Sequence, residues 1–160
     1  MMWLSIAHNE DIDNWVAARH YLKSRGSSAS TIRMWFLTGN KVEFIDDTKK
    51  VGAMLWNHPT ARLFDNNTLL ELTRMYFIDD TEPNIESKAL AMARRYIRRN
   101  HPHIKGVIAY SSTGYNHDGT IYKADNWFTM GTRKGTTWAR TNRARADADN
   151  SDKILWVRSP

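Results

Sequence analysis

The stretch from Gly106 to Gly131 concentrates side chains able to move protons. An apolar, strand-length run, Gly106-Val107-Ile108-Ala109-Tyr110, gives way to a polar turn from Ser111 to Gly119 that carries His117 and Asp118, and Tyr122 follows directly. Imidazole and carboxylate are common acid–base groups and common metal ligands. A phenol with an ordinary pKa near 10 stays protonated at neutral pH and can act as a general acid. Ile121, Ala124 and Trp127 recur at helical spacing, which predicts a short helix holding Tyr122 just past the end of a strand, where open α/β sheets bind their ligands. The plainer alternative is a polar strand-to-helix loop with a packed tyrosine.

Three further places bear on chemistry. Arg74 lies within Leu69 to Ile78, a run whose alternation predicts a long strand with Leu70, Leu72, Arg74, Tyr76 and Ile78 on one face. An arginine on an apolar face must meet an anion or extend to water, and its fork suits a carboxylate or a phosphate. Next, Asn84 caps the clearest helix, in which Ile85, Ala89, Met92, Ala93, Tyr96 and Ile97 form an apolar stripe. The unpaired N–H groups of its first turn make a phosphate cradle, although no Gly-x-Gly-x-x-Gly or Walker pattern accompanies them. The opposite side, Lys88, Arg94, Arg95, Arg98 and Arg99, reads as a solvated helix face. Finally, Arg133, Lys134, Arg140, Arg143 and Arg145 cluster around Trp138, a segment suited to a nucleic-acid backbone with one ring for stacking, or to a basic loop at about 133–150 that serves solubility.

The remaining elements position these groups. Trp3 to Ile6 alternates as a short strand, and Ile12, Trp15, Val16, Arg19 and Leu22 predict a first helix that Gly26 stops, with His20 and Tyr21 in its last turns. A histidine there is stabilised by the helix dipole and needs no ligand to explain it. Thr31 to Leu37 and Val51 to Trp56 predict antiparallel strands joined by turn-forming residues, while Trp127 to Arg133 and Lys153 to Arg158 predict the last two strands.

The chain of 160 residues has a formal charge of +6 and no cysteine. The length suits one domain, the charge suits an anionic partner, and the lack of thiols excludes disulfide scaffolds and cysteine nucleophiles. With no membrane-length apolar run and no basic-then-apolar leader, a cytoplasmic protein is expected.

This order of strands and helices resembles the GNAT acyltransferase fold. The resemblance implies an α/β architecture: a mixed, mostly antiparallel twisted sheet splayed between strands 4 and 5 and flanked by helices. It also implies acetyl-CoA in the gap, its pyrophosphate at the helix start and a tyrosine protonating the CoA thiolate. Ile78, Asn84, Ile85, Glu86, Ser87 and Tyr122 would then touch the cofactor. The usual Gln/Arg-x-x-Gly-x-Gly/Ala loop is replaced by Asp80-Thr81-Glu82-Pro83-Asn84-Ile85-Glu86-Ser87.

A narrower resemblance covers most of the chain. His20-Tyr21, Gly52 with Pro59, Leu72-Thr73-Arg74, Asn84-x-x-Ser87 and His117-x-Gly119-x-Ile121-Tyr122-x-Ala124 resemble, in order and spacing, the Mom family of bacteriophage DNA-modification proteins. That family converts adenine in phage DNA to an N6-carbamoylmethyl form that blocks host restriction. The resemblance implies a phage-encoded enzyme of the bacterial host cytoplasm, with double-stranded DNA and acetyl-CoA as partners and a possible iron-like divalent metal. His20, Tyr21, Arg74, Ser112 and Tyr122 would be catalytic, and His20, Tyr21, His117 and Asp118 the metal candidates. Ser112 stands where the family carries an aspartate, and a hydroxyl is the weaker base and ligand. Two alternatives stay open: an ordinary GNAT enzyme acetylating a protein or small amine, and a catalytically idle DNA-binding or host-interaction module.

Overall fold

The computed structural model describes residues 1–20, 30–39, 41–42, 45–46, 49–79, 81–112, 119–133 and 152–160. Seven strands form one sheet: β1 (Trp3–Ile6), β2 (Ile32–Thr38), β5 (Lys49–Asn57), β6 (Leu69–Phe77), β7 (Gly106–Ser112), β8 (Phe128–Arg133) and β9 (Lys153–Arg158). Their order across the sheet is β1-β2-β5-β6-β7-β9-β8, and β6–β7 is a parallel pair among antiparallel ones. A separate two-residue ladder, β3 (Lys41–Val42) with β4 (Ile45–Asp46), interrupts the predicted turn between β2 and β5.

Helices cover both faces. On one, α1 (Asp11–Arg19) buries Ile12 and Val16 against Ala53 and Leu55 of β5. On the other, α2 (Ile85–Asn100) buries Ile85, Ala89, Leu90, Ala93 and Ile97 against Met34, Phe36, Met54, Trp56, Leu70 and Val107. The period-2 alternation of β2 and β5 thus feeds two cores at once. Gly52 is required by this packing, because a Cβ there would overlap the Phe77 ring. Among the described residues no helix is long and apolar enough to cross a membrane.

The parallel pairing of β6 and β7 runs only from Leu69↔Gly106 to Leu72↔Ala109. Beyond it β6 continues to Phe77 and β7 to Ser112 without a shared ladder, so the sheet splays between its fourth and fifth strands. The cause lies in β6. Leu55 faces Arg74 but Trp56 faces Leu72, which leaves Thr73 as an extra residue, a bulge that bends the strand away from its neighbour.

The same bulge corrects the expected face of β6. Leu70 and Leu72 belong to the α2-side core, and past Thr73 it is Met75 and Phe77 that join them. Arg74 and Tyr76 turn to the α1 side instead. Strict alternation, which groups Leu70, Leu72, Arg74, Tyr76 and Ile78, is broken by one inserted residue.

Two other expectations change. The first helix ends at Arg19 rather than running to Leu22: His20 is its extended C-cap (φ −66°, ψ 146°), with its N–H on Val16 O at 2.7 Å. Arg94, expected on a solvated face, is buried, because it ion-pairs with Asp125 beneath the short helix α3 (Thr120–Ala124).

Candidate active site

A cavity of about 590 Å³ opens in the splay. Its walls come from both faces of the sheet. Arg74 and Tyr76 of β6, Tyr110 and Ser112 of β7, and Arg19 and His20 from the end of α1 line the α1 side. Glu86 of α2 and Thr120, Ile121 and Tyr122 of α3 line the other, together with Ser111.

Tyr122 is fixed by aromatic packing. Its ring lies 5.2 Å from that of Trp127, edge-on at 61°, and 5.9 Å from that of Trp156, near-stacked at 24°. The indole N–H of Trp156 donates to Ser111 Oγ at 2.9 Å, and that of Trp127 donates to Asp125 Oδ2 at 2.8 Å. Arg94 in turn donates to both oxygens of Asp125, at 2.8 Å each, so helix α2 clamps the end of α3 through a buried bidentate pair. At the start of α3, Gly119 adopts φ +83°, and any side chain there would also overlap the Trp156 indole. The phenol-bearing helix is therefore held at both ends.

On the opposite wall, Arg74 Nη1 donates to Thr73 O at 2.7 Å, which turns the guanidinium back along the bulge. Glu71 lies three residues earlier on the same strand, buried, with Oε1 accepting from Thr60 N and Thr60 Oγ1 at 3.2 Å each. Burial pushes the Glu71 carboxyl above its usual range, against the lowering effects of the Thr60 bonds and the Arg74 charge. Burial likewise raises the Tyr110 phenol; the Glu71 carboxylate adds to that shift and Arg133 opposes it. Glu71 sits in no motif, and Tyr110, which with Ser111 stands where the Mom family carries a Tyr-Ala pair, is not marked by the sequence as a site residue. A carboxylate inside the apolar Leu69-Leu70-Glu71-Leu72 run was the available signal.

Of the residues expected at the site, the cavity gathers His20, Arg74, Glu86, Ser112 and Tyr122. His20 and Ser112 are both buried. Ile78, Asn84, Ile85 and Ser87 do not line it: the Ile78 N–H is spent on Val51 O at 2.9 Å, and Ile85 is core. Asn84 takes a left-handed conformation (φ 63°) and makes no side-chain cap, while Glu86 brings the first turn of α2 to the cavity wall. Ser87 Oγ turns inward to Asn84 O at 3.0 Å. Arg133 is exposed at the end of β8 and does not itself line the cavity, although its charge acts on Tyr110 in the wall. Tyr21, His117, Asp118, Lys134, Trp138, Arg140, Arg143 and Arg145 lie outside the described residues. Among the described residues no three His, Cys, Asp or Glu side chains gather as a metal site, and His20 alone does not make one.

The same architecture is found in solved GNAT acetyltransferases. A GNAT acetyltransferase from Elizabethkingia anophelis, solved with acetyl-CoA bound, superposes with a TM-score of 0.64 at 8% identity over 99% of this chain and 98% of that one. Arabidopsis thaliana NAA60 in complex with acetyl-CoA matches at 0.68 and 10% identity over 99% and 98%, and a Streptococcus pneumoniae GNAT acetyltransferase at 0.62 and 10% over 99% of each. The fold is that of the GNAT acetyltransferases.

Within that fold the sequence is more particular. The Mom protein family model matches residues 4–154, and the chain belongs to that family. The methylcarbamoylase mom of Escherichia phage Mu is 32% identical over 72 residues, 45% of this chain. The match spans 30% of the phage Mu protein's length.

Proposed function

We propose that this protein is an acyl-CoA-dependent DNA-modifying enzyme that attaches a carbamoylmethyl-type group to adenine N6 in phage DNA and so shields it from host restriction. The observation that carries the reading is the splay cavity, with a caged phenol on one wall and Arg74, His20, Tyr110 and Ser112 on the other. Two supports stand beside it: membership of the Mom family, and the acetyl-CoA held by proteins of the same fold.

Acetyl-CoA would enter from the α2 side, its pyrophosphate at the uncapped N–H groups of Ile85, Glu86 and Ser87. Its thioester would then meet the cavity beside Tyr122. In the cleavage of the C–S bond a nitrogen nucleophile takes the acyl carbon to form the amide, the electron pair goes to sulfur, and the Tyr122 O–H supplies the proton that makes CoA a neutral thiol. Joining adenine N6 to the methyl carbon, as a carbamoylmethyl product requires, is a separate two-electron oxidation of that carbon that needs its own oxidant. The aromatic cage keeps the phenol out of water and aimed at the cavity. Arg74 and the basic surface of the chain would meet the DNA, and an adenine must leave the stack to reach the cavity. A divalent metal would need His20 together with Tyr21, His117 or Asp118, and of these the described residues supply His20.

Nucleoside mass spectrometry of DNA from bacteria expressing the protein tests this reading, paired with acetyl-CoA titration of the purified chain. A modified adenine that disappears in Tyr122→Phe is the expected result. Acetyl-CoA binding with unmodified DNA points instead to an amine acetyltransferase, and absence of both activities leaves a binding module, the outcome that Ser112 in place of an acid would suit.

A further inference from the structure

The α1 face carries a feature that acetyl-CoA chemistry does not use. Trp15 of α1 meets Trp35 of β2 edge-on, with ring centroids 5.3 Å apart at 79°, and meets Tyr76 of β6 at 5.7 Å and 69°. The three rings make a continuous strip across the sheet, and Trp35, Ala53 and Tyr76 are cross-strand partners in one row. Ala53 is small where α1 crosses, so the helix settles onto the sheet and brings Trp15 down between the other two. All three rings are only half-buried.

Two of the rings, the terminal Trp35 and the central Trp15, hold a cation. Lys50 Nζ sits 4.4 Å over the Trp35 ring, and the Arg19 guanidinium sits 4.5 Å over the Trp15 ring. Both side chains belong to exposed residues. A ring beneath an exposed cation fixes its position, as does the bond from Arg19 Nη1 to Trp15 O at 3.1 Å, and keeps the charge at the surface where an anion can meet it. Of the nearby acids, Asp13 is neutralised by a bidentate contact with Arg33, at 3.0 and 3.2 Å, and the exposed Glu10 and Asp11 stand at the opposite end of α1. The cavity end of the strip is defined by Tyr76 and Arg19, both of which line the cavity.

We propose that this strip is the track for the DNA strand that carries the target base, with Lys50 and Arg19 on its phosphates and the Trp35, Trp15 and Tyr76 rings under its sugars and unstacked bases. The assignment rests on DNA being the acceptor, as proposed for the cavity. Extruding a base from a duplex leaves its neighbours without a stacking partner, and aromatic rings next to the receiving cavity replace that contact without reading sequence. Rings alone would suit many partners. Rings that carry cations and lead toward the cavity suit a polyanion whose monomers are flat.

The test is binding of a short labelled DNA duplex by fluorescence anisotropy over a salt series, with acetyl-CoA titration as the control for folding. Trp35→Ala is expected to weaken duplex binding about 5- to 150-fold, the range that loss of one stacking ring gives. Lys50→Gln should lower the slope of log affinity against log salt by about 1, as loss of one phosphate contact does. Acetyl-CoA affinity should be unchanged in both. Lys50 is exposed, so its variant carries the test even if Trp35→Ala fails to fold. If the parent protein binds duplex and both variants match it in affinity and salt slope, the track is overturned and the enzymatic proposal stands. If the parent protein binds acetyl-CoA but no duplex, the DNA acceptor falls and the track falls with it.

Discussion

The clamp on the phenol-bearing helix predicts a large and specific stability effect. Arg94 and Asp125 are both buried and share two 2.8 Å bonds, while Asp125 also accepts the Trp127 indole. Arg94→Met keeps the aliphatic packing and removes the charge, leaving the Asp125 carboxylate buried with the indole N–H as its neutral partner. Removing one partner of a buried pair costs about 3–5 kcal/mol. For a chain of this length, about 2–4 °C of Tm per kcal/mol makes the expected fall about 6–20 °C. Arg94→Met/Asp125→Asn should recover more than half of that loss, since the amide keeps an oxygen for Trp127 and no charge is stranded. Thermal unfolding followed by circular dichroism gives both numbers. An Arg94→Met protein that melts with the parent, or a double variant as unstable as the sum of its singles, would refute the view that a stranded buried charge dominates. Because Trp127 packs on Tyr122, Arg94→Met should also lower turnover more than it lowers acetyl-CoA affinity.

Tyr122→Phe should leave acetyl-CoA affinity close to the parent value and cut turnover by about 10²–10⁴-fold, as loss of a general acid does; full turnover would remove the phenol from the mechanism. Glu86 places a carboxylate in the cavity at the start of α2, where a pyrophosphate would be repelled, so Glu86→Gln is expected to tighten acetyl-CoA about 2- to 5-fold at low salt by calorimetry. The raised Glu71 carboxyl binds its proton more tightly folded than unfolded, so its contribution favours the fold at low pH and is lost as pH rises from the unfolded value, 4.5, through the higher folded one. Glu71→Gln should therefore raise Tm at neutral pH and make no difference near pH 3; an equal shift at both would assign the effect to packing. Gly119→Ala pairs a positive φ with overlap on Trp156, and should destabilise by more than the roughly 1 kcal/mol of the backbone term alone.

Local pattern by itself determined a good deal of this protein. The strand-length runs of β2, β5 and β6, the amphipathic stripe of α2, the short helix bearing Tyr122 and the basic charge are each set by residues close together in the chain, and the order of the elements together with the His20, Arg74, Ser87 and Tyr122 motifs identified the fold and the family. What only the tertiary structure decided depends on distant partners. The side of β6 on which Arg74 falls follows from one extra residue, Thr73, in its ladder with β5, and a bulge leaves no mark on strand periodicity. Arg94 looks like one of several solvated helix arginines until Asp125, 31 residues on, claims it. Glu71 and Tyr110 become neighbours only through the parallel β6–β7 pairing, and the Trp15–Trp35–Tyr76 strip joins three elements at one crossing. A period can be read within one element, but a contact between elements depends on register, and in this sheet register is set by cross-strand packing.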